Sequence, residues 1–125
     1  MTPAQILLVE DDDDIREAVQ DALERRGYRT SAAEDGQAAL DSLRAMAIKP
    51  QLILLDLTMP RMSGWQFMEE KAKDATIADI PVVVLSAVAN VDRQQPVQGW
   101  AGVLAKPVSL SVLIETVAQF CKIES

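Results

Sequence analysis

Polar residues follow four apolar runs in this chain: Glu10 and Asp11 after residues 6–9, Asp56 after residues 52–55, Ser86 after residues 82–85, and Lys106 after residues 101–105. If those runs are strands of one parallel sheet, all of these side chains leave from its carboxyl edge. In open α/β sheets that edge holds the ligand, at the point where strand order reverses. In the order 2-1-3-4-5 the first and third strands are neighbours, which sets Asp11 beside Asp56. Carboxylates that close repel unless a cation lies between them. Mg2+ takes hard oxygen ligands and keeps several waters. Asp11, Asp56 and a backbone carbonyl just after Asp56, that of Thr58, would supply its protein ligands. Lys106 would meet the far side of an incoming phosphoryl group as a point charge, and Ser86 would donate a hydroxyl hydrogen bond to another of its oxygens. Positioning and charge stabilisation are most of what phosphoryl transfer requires of a protein.

The elements that must hold these groups can be read from the pattern. The runs at 6–9, 52–55 and 82–85 do not alternate with polar residues, which suits strands buried on both faces. Weaker strands are expected at residues 28–32 and 101–105. Ile15, Val19, Ala22 and Leu23 share a helical face that Gly27 ends. Leu40, Leu43 and Ala47 mark a second helix ending near Pro50. Trp65, Met68 and Ala72 mark a third, entered after Gly64, and Leu110, Leu113, Val117 and Phe120 mark the last. Residues 90–98 should supply the remaining helix, although Pro96 removes a donor inside it. The sum is a five-stranded parallel sheet with helices on both faces, a doubly wound α/β fold. One domain over residues 1–125 is expected, with no linker or repeat.

The segments Leu7-Leu8-Val9-Glu10-Asp11-Asp12, Leu54-Leu55-Asp56-Leu57-Thr58-Met59-Pro60-Arg61-Met62-Ser63-Gly64, Leu85-Ser86-Ala87 and Leu104-Ala105-Lys106-Pro107 resemble the receiver domains of two-component response regulators. The resemblance covers almost the whole chain. Each segment alone is modest; together and in this order they are specific. The resemblance implies a flavodoxin-like fold, Asp56 as phosphoacceptor, and Asp11 as the main side-chain Mg2+ ligand with Glu10 assisting through water. Ser86 and Lys106 would bind the phosphoryl group, the small Ala87 would leave the site open to the donor, and Lys106–Pro107 would be a cis peptide, which X–Pro bonds adopt at modest cost. The implied partners are a sensor histidine kinase or histidine phosphotransfer protein upstream and an unidentified protein downstream.

Composition narrows the alternatives. The chain has 125 residues, 49% of them hydrophobic, and a formal net charge of -7. That supports a folded core and argues against a nucleic-acid or anionic-lipid surface. No apolar run nears the ~20 residues of a membrane span. With one cysteine no intrachain disulfide can form, which fits a cytoplasmic chain. The absence of histidine excludes His-based triads and His metal sites, so a phosphohistidine donor must sit on another molecule. Blander readings also exist. The acidic run from Glu10 to Asp14 suits the positive end of a helix, with Asp12 or Asp13 as its cap. It is no EF-hand loop, since Arg16 stands where glycine is required. Cys121 reads as an inert core residue.

Two rival functions remain. A phosphatase of the haloacid-dehalogenase type shares the aspartate, Mg2+, hydroxyl and lysine. It typically needs a second aspartate two positions after the first, where this chain has Thr58, and the chain lacks an insertion for a substrate cap. A degenerate receiver acting as a binding module would not need the intact polar set. Some positions depart from the receiver pattern. Ser63 stands where aspartate is frequent, a change of little expected consequence. Ser86 replaces the commoner threonine, and Val108 replaces a frequent phenylalanine. Val103 replaces the aromatic that, with the hydroxyl position at Ser86, usually forms the switch. A stiff β-branched side chain has no ring to swing, so the usual output through the fifth strand is in doubt.

Overall fold

The computed structural model describes residues 4–57, 62–86 and 100–121. Five strands, β1 (Ile6–Val9), β2 (Thr30–Ala33), β3 (Leu52–Asp56), β4 (Val82–Ser86) and β5 (Trp100–Ala105), form one sheet. All pairings are parallel, in the order β2-β1-β3-β4-β5. The described helices are α1 (Asp13–Arg25), α2 (Gly36–Ala45), α3 (Gly64–Ala72) and α4 (Leu110–Ala118). The helix expected over residues 90–98, with Pro96, lies outside the described residues.

The three unbroken apolar runs become the three central strands, each residue of which is buried. Their side chains divide alternately between two cores. Leu7, Val9, Ile53, Leu55, Val82 and Val84 face Leu40 and Leu43 of α2 and Phe67 and Met68 of α3. Ile6, Leu8, Leu52, Leu54, Val83 and Leu85 face Val19 and Leu23 of α1 and Leu113 and Val117 of α4. Burial on both faces is the physical reason these strands could not alternate.

The last helix ends at Ala118, leaving Phe120 outside it, and local chemistry moves the boundaries of β2 and α2. The second strand starts at Thr30, later than the expected residues 28–32, because Tyr28 belongs to the end of α1. Gly27 adopts φ 95°, its N–H donates to Glu24 O at 3.0 Å, and the Tyr28 N–H donates to Leu23 O at 3.1 Å. This is a Schellman closure with Tyr28 and Leu23 sharing a core. The second helix stops at Ala45 rather than near Pro50, leaving Ala47 outside it. There the Lys49 ammonium donates to Leu43 O at 2.6 Å and Met46 O at 2.8 Å, satisfying carbonyls the helix leaves open.

Candidate functional site

The carboxyl ends of β1, β3, β4 and β5 converge on one cluster of polar side chains. Glu10 continues β1 by one bond, its N–H donating to Ala33 O at 3.0 Å. The chain then turns into α1, whose N-cap is Asp12: the Asp12 Oδ1 accepts from the Ile15 N–H at 3.0 Å. Asp56 is the last residue of β3 and Ser86 the last of β4, and each is only 3% exposed. Beyond β5, the Lys106 N–H donates to Ser86 O at 2.8 Å, which aims the lysine back across the sheet edge. The Lys106–Pro107 peptide is cis.

Glu10, Asp11 and Asp56 bring one carboxylate oxygen each to within 4.8 Å of one another. Glu10 is fully buried, Asp56 nearly so, and Asp11 is exposed at the mouth. Lys106 bridges the buried pair. Its ammonium donates to Glu10 Oε1 at 2.8 Å and lies 3.4 Å from Asp56 Oδ2. Burial pulls the Lys106 pKa down, but the hydrogen bond that its ammonium donates to Glu10 and the charges of Asp56 and Glu10 outweigh it and hold the pKa above the usual lysine value. Three carboxylates facing one ammonium leave an excess of negative charge in a largely dry site. The donor set is all oxygen, partly open to solvent, and so fits a hard divalent cation that retains waters.

The loop that follows Asp56 is anchored from α3. The Gly64 N–H donates to Leu57 O at 2.9 Å, and a Cβ on Gly64 would come within 2.7 Å of the Leu57 Cα, so only glycine permits this approach. Ser63 caps α3 in a reciprocal box. Its hydroxyl accepts from the Gln66 N–H and its own N–H donates to the Gln66 side chain. Ser63 therefore does more than the sequence reading allowed, and the Ser-x-x-Gln spacing was the signal for it. Arg16, also not anticipated, donates from Nη1 to Glu10 O at 2.9 Å; no short motif marks such a contact. Val103 is half-buried against the α2–α3 core, paired in register with Val84, and Ser86 is paired with Ala105. Thr58 and Ala87 lie outside the described residues.

An acidic pocket with a bridging lysine at the carboxyl edge of a 2-1-3-4-5 sheet is the arrangement of a signalling receiver. The model of the response regulator receiver domain matches residues 6–118, and the chain belongs to that family: it is a receiver domain of two-component response regulators. Among curated relatives, the polar-differentiation response regulator DivK of Brucella anthropi is 29% identical over 120 residues, covering 94% of this chain and 96% of DivK. Some other relatives are longer. The chain spans 34% of the transcriptional regulatory protein CseB of Streptomyces coelicolor, at 42% identity over 68% of this chain. Among solved structures, the chemotaxis protein CheY4 of Vibrio cholerae superposes with a TM-score of 0.85 at 26% identity, over 96% of this chain and 100% of that one. The response regulator TrrA of Thermotoga maritima, in complex with Mg(2+)-BeF, superposes with a TM-score of 0.82 at 26% identity, over 95% and 100% of the two chains. Receiver domains are signalling modules that work with histidine kinases and downstream effectors, and they bind Mg2+ at an acidic pocket. No helix among the described residues is long and apolar enough to cross a membrane.

Proposed function

We propose that this receiver accepts a phosphoryl group on Asp56 from a phosphohistidine on a partner protein, with Mg2+ held by Asp11, Asp56 and the Thr58 carbonyl and with Glu10 reached through water. The observation that carries this reading is the buried Asp56 carboxylate within reach of both a two-carboxylate neighbour set and the Lys106 ammonium. When bound, the cation neutralises the carboxylates and the charge on the phosphoryl oxygens. An Asp56 oxygen attacks phosphorus as the donor's N–P bond breaks and its imidazole leaves. Lys106 turns from Asp56 toward a phosphoryl oxygen, while Glu10 holds its ammonium at the site. The Ser86 hydroxyl donates to a second oxygen, and Ala87 leaves room for the donor.

A histidine must come from outside this chain, and the surface beside Lys106 suits its approach. A cavity of about 490 Å³ between α1 and α4 is lined by Ile15, Val19, Leu85, Pro107, Val108 and Leu113. Ile15 and Leu110 stand exposed around it. An apolar partner surface seated there would set its histidine over Asp56. The cytoplasm is the compartment where such a kinase domain would be met. The phosphatase alternative is less well served, because Thr58 cannot act as its acid and base near neutral pH.

The test is mass spectrometry after incubation with acetyl phosphate and Mg2+. One phosphoryl group should be added per chain, it should map to Asp56, and Asp56→Asn should abolish it. Turnover of the donor without a stable adduct would favour the phosphatase, and no reaction the degenerate module.

A further inference from the structure

We propose that Arg16 is a positioning residue for the acidic site, a role that rests on the Mg2+-dependent reading above. The last sheet bond of β1 is made by the Glu10 N–H to Ala33 O. Beyond it the chain leaves the sheet, and among the described residues the Glu10 carbonyl has no strand partner. Glu10 is fully buried, so its carbonyl needs a donor from the protein. Arg16 Nη1 supplies it at 2.9 Å. The other arm, Nη2, pairs with Asp13 Oδ1.

One planar fork thus spans the turn from its strand side at Glu10 to its helix side at Asp13, the first residue of α1. Between these anchors lie Asp11 and Asp12. Asp12 is fixed further, its N–H donating to Glu10 Oε2 at 3.3 Å and its side chain capping the helix. Asp11, the exposed member of the carboxylate set, takes its position from a turn held at both ends. Residues behind a metal's ligands orient them in this way. A lysine offers a point charge on a flexible stem and cannot reproduce the two-armed contact.

The sign of the effect separates positioning from charge. A cation near the site opposes a bound Mg2+, so if Arg16 acted by charge alone, removing it would tighten Mg2+ binding. If it acts by holding the turn, removal weakens binding. The experiment titrates wild type, Arg16→Gln and Arg16→Lys with MgCl2 alone, following amide NMR shifts, with thermal melts to establish folding. Both variants should lose roughly 10-fold or more in Mg2+ affinity. In the metal-free protein the Asp12 amide should exchange faster in both. Wild-type or tighter affinity in either variant overturns the proposal; if Arg16→Gln does not fold, Arg16→Lys decides alone. Absence of Mg2+ binding by wild type, or binding unchanged in Asp11→Asn, would instead overturn the site reading itself.

Discussion

Neutralising Asp56 should make the metal-free protein more stable, and the size of the gain follows from the site's geometry. Asp56 is 3% exposed, and its carboxylate has an oxygen within 4.8 Å of one from Glu10. At an effective dielectric near 20 that repulsion is about 3.5 kcal/mol. Asp11 adds less, because it is exposed and screened. Against this stands the Lys106 ammonium at 3.4 Å, an attraction of about 5 kcal/mol on the same scale. Attraction and repulsion nearly cancel. What remains is the cost of dehydrating the carboxylate, several kcal/mol before hydrogen bonds return part of it. Asparagine keeps the shape and some of those bonds but drops the charge. Asp56→Asn should therefore raise the unfolding free energy by about 1–3 kcal/mol in EDTA. Urea unfolding followed by far-UV circular dichroism would show a higher midpoint at unchanged slope. Saturating Mg2+ should narrow the gap, because it stabilises only the chain that binds it. As a control, Asp21→Asn on the exposed face of α1 should shift stability by less than about 0.5 kcal/mol. A variant no more stable than wild type in EDTA would refute the reasoning, since it would mean the buried charge is already fully compensated.

Other outcomes follow from single contacts. Gly64→Ala would force a Cβ within 2.7 Å of the Leu57 backbone and should cost about 1–3 kcal/mol of stability by denaturant unfolding. Cys121 is buried and its thiol is pushed up to about 11 by desolvation, so at pH 8 it should react with a disulfide reagent only as fast as the protein opens. The reagent should titrate it at once in denaturant. The Lys106 pKa is raised on folding, so its contribution to stability is fully present below the ordinary lysine value and is lost as pH rises through the higher folded value. Urea midpoints of wild type and Lys106→Met should converge above about pH 10.5, the ordinary value.

The central strands and the polar edge were legible because both follow from burial. Short apolar runs without alternation suit strands covered on two faces, and polar residues placed directly after such strands sit at the sheet's rim. The sequence was less informative wherever a side chain ended an element. Nothing in the pattern announces that Lys49 would reach back to cap α2, or that Tyr28 would be taken by the closure of α1 through Gly27. Phe67, fully buried and central to the α2–α3 core, sits between the expected anchors Trp65 and Met68, because α3 is short and buries a broad face. The contacts of Glu10 depend on residues far apart in the chain, Lys106 and Ala33, and no local spacing encodes them. Ser63 is the instructive case: its deviation from the family pattern drew attention, while its ordinary capping chemistry carried the structural consequence.

The site also bears on why such an unfavourable cluster persists in a well-packed domain. A buried carboxylate pair bridged by a lysine is weak evidence for stability, since apolar replacements of similar volume are often neutral or stabilising. Here the surrounding structure spends several contacts on keeping the charges in place. The Lys106 N–H is tied to Ser86 O, the Glu10 N–H to Ala33 O, the Glu10 carbonyl to Arg16, and the Leu57 carbonyl to the Gly64 N–H. Each bond fixes a strand end rather than adding to either core. Lys106 lies closer to Glu10 than to Asp56, 2.8 Å against 3.4 Å. The lysine can therefore remain anchored on Glu10 while its contact with Asp56 is exchanged for another anion. The asymmetry leaves Asp56, at the end of β3, with the longer of the two contacts to the ammonium.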